Sequence, residues 1–212
     1  MHVEQRSTGP YVIGSPVDDA RLTSPFGPRP PFNAGSFTTN DFHFGIDLVP
    51  TGVPVEGWPI RLLGEDGTSI AYDNNPLDGN GLVVRLRHAK YETEYMHTRP
   101  GAWRPPAGHV VKKGQTFAEV GNSGASSGAH LHLVLKSRTQ SYTLTGYTGT
   151  VYTANHLDPL SDEGLAFFNG STAKEWTNTE LRAFAVTAVA RKEYKIEKRN
   201  GQNWLVVETR LY

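Results

Sequence analysis

Short apolar runs cut by glycine and proline turns set the tightest limit on what this chain can fold into. The alternation in "GLVVRLRH" (81–88), "YETEYMH" (91–97), "TFAEV" (116–120) and "HLHLVLK" (130–136) is that of β-strands. Between them "DNNPLDGNG" (73–81) and "RPGAWRPPAG" (99–108) are loops by composition. The 22 Gly and 14 Pro in 212 residues fit a loop-rich, mostly β chain better than a helical bundle. Short strands at this spacing predict a mainly β fold, a compact antiparallel sheet or sandwich. The length allows one sizeable core plus a small appendage.

Composition narrows the functional classes. There is no cysteine, so disulfides and thiolate zinc sites are both excluded. Lys plus Arg number 21 against 21 Asp plus Glu, so no bulk charge draws the chain to nucleic acid or an anionic membrane. No apolar run reaches the ~18 residues a membrane span needs. The start, "MHVEQRSTGPYVIGSPVDD", lacks the apolar segment of a secretory signal. A target outside a cytoplasm would therefore need another route of delivery.

The two ends differ from the middle. Residues 1–40 read as irregular, with "SPFGPRPPFNAG" winding over a surface, and residues 1–21 form an N-terminal arm. The main domain is expected over 22–165. After it, "WTNTELRAFAVTAVARKEYK" has helical spacing, with Thr177 and Glu180 as a capping box. Asn200-Gly201 between two strand-like runs signals a hairpin. Residues 166–212 thus read as a C-terminal helix plus β-hairpin extension, serving either as packing or as an attachment device.

The polar residues that carry chemistry lie in the middle. His130 and His132 share one face of a strand, about 6.5 Å apart. That is wide for two ligands of one zinc and suits one ligand beside one neighbour. His43 and Asp47 would stand about 13 Å apart on a straight strand, but Gly45 between them can bend it. His97 ends the "YETEYMHT" run. "GNSGASSGAH" is a turn-rich loop whose small residues, Asn122 and Ser123 among them, let a peptide backbone come close. Each piece alone more often marks an ordinary polar residue. Together, His43, Asp47 and one of the H-x-H pair have the composition of a catalytic zinc site, three protein ligands plus water.

In their order, "TSPFGPR", "FHFGIDLVPTGVPV", "YETEYMHT", "VVKKGQTFAEVGNSGASSGAHLHLVLK" and "HLDPL" resemble the lysostaphin-type zinc endopeptidases, over about residues 22–160. The resemblance implies one Zn²⁺ per chain held by His43, Asp47 and His132, with His97 and His130 catalytic. It implies an antiparallel sheet crossed by a groove with loop walls, and peptides of bacterial peptidoglycan as substrate. Tyr95, Trp103, Asn122 and Ser123 are the candidate substrate contacts, while His88, His109 and His156 fit no motif position. "EGWPIRLLGEDGTSIAY" departs from the family pattern, and "FNAGSFTTND" and "RPGAWRPPAG" read as groove walls of this protein's own. With the absent signal and the extra tail, the expectation is a phage lysin or a virion- or tail-associated wall hydrolase, the extension docking on virion proteins. The alternative is a catalytically silent wall-binding or structural tail component on the same fold.

Overall fold

Eight strands make the sheet on which the rest is hung: β1 (Ala20–Ser24), β2 (Ile46–Pro50), β3 (Gly67–Ser69), β4 (Val84–Arg87), β5 (Tyr91–Met96), β6 (Val110–Val111), β7 (Leu131–Ser137) and β8 (His156–Leu157). The computed structural model describes residues 2–6, 16–34, 37–70, 75, 79–169, 192–199 and 202–209. Every pairing in this sheet is antiparallel, in the order β6-β3-β4-β5-β7-β2-β1, with β8 pairing β7. The mainly β antiparallel expectation matches this fold.

Alternation along β7 divides the sheet into two faces. Leu131, Leu133 and Leu135 point to one side and are buried to within 1%. With Tyr95, Leu86, Ile46 and Leu48 they form the core. A ribbon of Pro59–Arg61 and Thr116–Glu119 carries further core residues. Its Phe117 meets Tyr95 edge to face at 4.7 Å. His132, Val134 and Lys136 point to the other side. Register sets Met96 and Asp47 opposite His132 from the two neighbouring strands.

One expectation is corrected. Among the described residues of 1–40, His2–Arg6, β1, Gly27–Pro28, Asn33–Ala34 and Phe37–Thr38 are strands rather than irregular chain. Proline does not prevent this, because His2–Arg6 and β1 contain none and, of the two-residue pairings, just Gly27–Pro28 holds one. A further helix, which the sequence pattern does not predict, spans Asp162–Asn169. Ser161 caps it, its hydroxyl accepting from Gly164 N–H at 3.1 Å. Phe167 then packs on His88 and Tyr91 at 5.0 and 4.9 Å.

Contacts divide the chain into two units, Gly14–Gly170 and a second made of Met1–Ile13 with Ser171–Tyr212. In the second, Lys192–Arg199 and Gln202–Thr209 pair antiparallel with Arg199 opposite Gln202, leaving only Asn200 and Gly201 between them. His2–Arg6 adds to the latter strand in parallel. The helix expected over 177–191 lies outside the described residues. No helix among the described residues is long and apolar enough to cross a membrane.

Candidate metal centre

The chain bends at Phe44 and Gly45, between the short strand Phe42–His43 and β2. Gly45 is required there because a Cβ would stand 2.5 Å from Leu133 O and 2.7 Å from His132 Nε2. The bend brings His43 Nε2 within 3.2 Å of Asp47 Oδ1. From β7, His132 Nδ1 lies 2.7 Å from the same oxygen and 3.0 Å from His43 Nε2. Three donor atoms of residues 43, 47 and 132 therefore share one point. Tetrahedral ligands of zinc, at about 2.0–2.1 Å from the ion, stand about 3.3 Å apart. The observed edges, slightly shorter, fit such an ion among them.

Neighbours fix the direction of each donor. His43 is buried, and its Nδ1–H donates to Pro25 O at 2.7 Å, which leaves the Nε2 lone pair facing inward. Ser24 Oγ lies 3.1 Å from the same Nδ1 and accepts from Arg29 Nη1 at 3.0 Å. Arg29 Nη1 is 3.8 Å from Asp47 Oδ2, the oxygen turned away from the cluster. Burial pushes the Asp47 carboxyl up, but the surrounding imidazoles of His130, His132 and His43 outweigh it and hold the group well below the usual carboxylate range. Burial lowers His132, against the pull of Asp47. Both directions leave the carboxylate ionised and this imidazole neutral, the protonation a metal requires.

Two further imidazoles flank the triad. His97 follows β5 with φ of 59°, in the left-handed region where histidine is uncommon but tolerated. Its Nδ1–H donates to Ser123 O at 2.8 Å, and its ring centre is 4.7 Å from that of His130. Burial, and then the nearby His130 and His132, push it down to about 4. His130 Nδ1–H donates to Gly128 O at 2.8 Å, and its Nε2 stands 3.6 Å from Asp47 Oδ1. Burial opposes charge on His130, yet the contact with Asp47 prevails and raises it.

A family profile described as peptidase family M23 matches residues 41–144, which hold all five of these residues. The chain belongs to that family. Over 119 residues this M23 chain is 40% identical to an uncharacterized metalloprotease of Haemophilus influenzae, covering 53% of this chain and 22% of the relative. Over 123 residues it is 33% identical to peptidoglycan DD-endopeptidase ShyC of Vibrio cholerae, covering 57% and 25%. It thus spans about a quarter of the length of these curated relatives. Lysostaphin from Staphylococcus simulans has the same fold, at 18% identity and a TM-score of 0.50, covering 78% of this chain and 56% of that one.

The expected substrate contacts of the M23 domain separate into two groups. Tyr95 is fully buried on the core face and cannot meet a substrate. Ser123 is also buried. Its hydroxyl accepts from Leu82 N–H and donates to Thr98 O, both at 2.9 Å, so it positions His97 rather than a ligand. Trp103 is 55% exposed with His109 edge-on at 5.7 Å, and Asn122 is exposed. His88 is structural: buried, it bonds Thr93 Oγ1 and Asp66 O.

Asp41 escaped sequence reasoning. It is buried two residues before His43, and it accepts from Tyr152 OH, from Thr148 Oγ1 and from Thr148 N–H at 3.0 Å. Those bonds hold its carboxyl down at about 2. They tie the hairpin of Tyr142–Thr145 and Val151–Ala154 to the segment bearing a metal donor. Gly146 leaves the room, since a Cβ there would strike the carboxylate. An acid near His43 was the only available signal.

Proposed function

We infer that this chain is a zinc-dependent endopeptidase that hydrolyses peptide bonds in bacterial peptidoglycan stems or cross-bridges. The observation that carries the reading is the convergence of His43 Nε2, Asp47 Oδ1 and His132 Nδ1 beside His97 and His130. The peptidoglycan substrate is supported by the M23 profile and by the printed activity of the Vibrio relative.

His43, Asp47 and His132 would hold the ion. Zinc so bound supplies a water of lowered pKa and polarises the carbonyl to be attacked. Arg29 and Pro25 keep two of the donors aimed, and Asp47 offsets the positive charge. His130 and His97 each spend Nδ1–H on a backbone carbonyl, which fixes the ring and leaves Nε2 for the reaction. In that position one imidazole takes a proton from the attacking water and the other donates to the developing oxyanion or the leaving amine.

The test pairs metal content with mass spectrometry of fragments from defined peptidoglycans. The wild-type chain should hold one zinc, release muropeptides, lose both on chelation and regain both on zinc addition. His132→Ala should lose zinc and release nothing. A fully loaded wild-type chain that cleaves no peptidoglycan would refute the reading.

A further inference from the structure

The face that bears the metal donors continues past them as a charged floor. Register places Arg85, Glu94 and Val134 in the row beside His132, and Arg87, Glu92, Lys136 and His156 in the next. Contacts agree with register. Lys136 Nζ reaches Glu94 Oε1 at 2.8 Å, Arg85 Nε lies 3.0 Å from that oxygen, and Arg87 Nε donates to Glu92 Oε1 at 3.0 Å. Four residues of strand put the far row about 13 Å from His132. There an open hollow of about 830 Å³ lies between the sheet end and the Asp41-tied hairpin. Its lining includes Arg87, Glu92, Arg138, Thr139, Asn155 and His156.

Two guanidiniums in this hollow, both exposed, are only partly used. Arg138 Nη1 donates to His88 O and Ala89 O at 2.8 and 2.9 Å, which anchors the group. Its Nε and Nη2 make no hydrogen bond among the described residues. Arg87 spends only Nε, on Glu92. The cations outnumber the single carboxylate among the lining residues, and Lys136 adds positive charge to the floor beneath. A planar guanidinium with a free edge matches a carboxylate better than it matches an amide or an amine. Asn155 donates Nδ2 to Ser137 O at 3.0 Å, so its Oδ1 stays open for an amide N–H of the same ligand.

We propose that this hollow is a subsite for a free carboxylate on the substrate peptide, remote from the bond that is cut, with Arg87 and Arg138 as its anchors. The proposal rests on the peptidase reading and deepens it. Stem peptides carry such carboxylates either free or as carboxamides, and the subsite selects the free form. Glu92 opposes the ligand and sets how strongly it is held.

Two synthetic stem peptides, one with free side carboxylates and one with carboxamides, serve as probes for the zinc-loaded full chain. Calorimetry at low salt and KM on cross-linked forms are the readouts. The free form should bind about tenfold tighter. Arg87→Gln should raise Kd and KM for it about fivefold, with kcat unchanged and the carboxamide form unaffected. Glu92→Gln should tighten the free form two- to threefold, a gain that misfolding cannot produce. Equal affinity for both peptides, or the same response of both to the two substitutions, overturns the subsite. Peptide binding with this charge dependence but no cleavage overturns the peptidase reading alone. Cleavage with equal KM for the two forms overturns the subsite alone.

Discussion

One strand, Leu131–Ser137, builds two surfaces of opposite character. On one side three leucines are sealed against Tyr95 and Phe117, and nothing polar is demanded of them. On the other, His132 and Lys136 stay partly exposed and belong to a network of charge that a fold alone would not select. Burying apolar area stabilises, while half-burying ionisable groups costs unless each is paired. The first face therefore maintains the sheet, while the second carries the candidate metal donors beside a smaller apolar cluster of Val83, Met96 and Val134.

That contrast breaks most visibly at adjacent positions. Leu133→Ala should destabilise the protein by about 2–5 kcal/mol, through lost burial and a cavity, yet retain one zinc per chain. His132→Ala should lose the zinc while the melting point in chelator moves by less than the equivalent of about 1 kcal/mol. Thermal melts with metal analysis check both. If His132→Ala unfolded the chelated chain, the division of labour between the faces would be wrong.

Gly45 is where the two faces meet, since its missing side chain makes room for Leu133 O on one hand and the His132 ring on the other. Gly45→Ala should weaken zinc about 10- to 100-fold by tilting that ring, as loss of a supporting contact does. Competition with a chromogenic chelator measures the change. An unchanged affinity would mean that the close approach has no bearing on the metal.

The smallest effect is with pH. Burial, and then Lys136, push His156 on the charged face down to about 4, below the ordinary 6.5. A group depressed on folding contributes stability that is full above pH 6.5 and is lost as pH falls toward 4. Leu131, Leu133, Leu135 and Tyr95 titrate nowhere in that window. The melting point should therefore decline from pH 6.5 to 4.5, less steeply in His156→Gln. Parallel slopes would remove His156 from the explanation.

What the sequence disclosed follows the same division. The strands were legible, because alternation is local. The five candidate residues were picked out by their order and by the family resemblance, and the structure brings them together; spacing alone left open which of His130 and His132 faces the other donors. Tyr95 was misread for a physical reason: it is two residues from His97, and alternation would put both on one face. The left-handed backbone at His97 breaks that alternation and sends Tyr95 into the core. Ser123 and Asp41 were illegible because their partners, Thr98, Leu82, Thr148 and Tyr152, are 25 or more positions away. The short strands at the start were hidden by the prolines of the segments around them.

The Asp41 carboxylate limits how far the 142–154 hairpin can vary. The Asp41 side chain fastens it through Thr148 and Tyr152, neither a candidate metal donor, and the Tyr152 ring also packs on Phe42 and Phe44 at 6.1 and 5.1 Å. The wall beside His43 can thus vary in its turn, 146–150, only as far as that clasp and those ring contacts are kept.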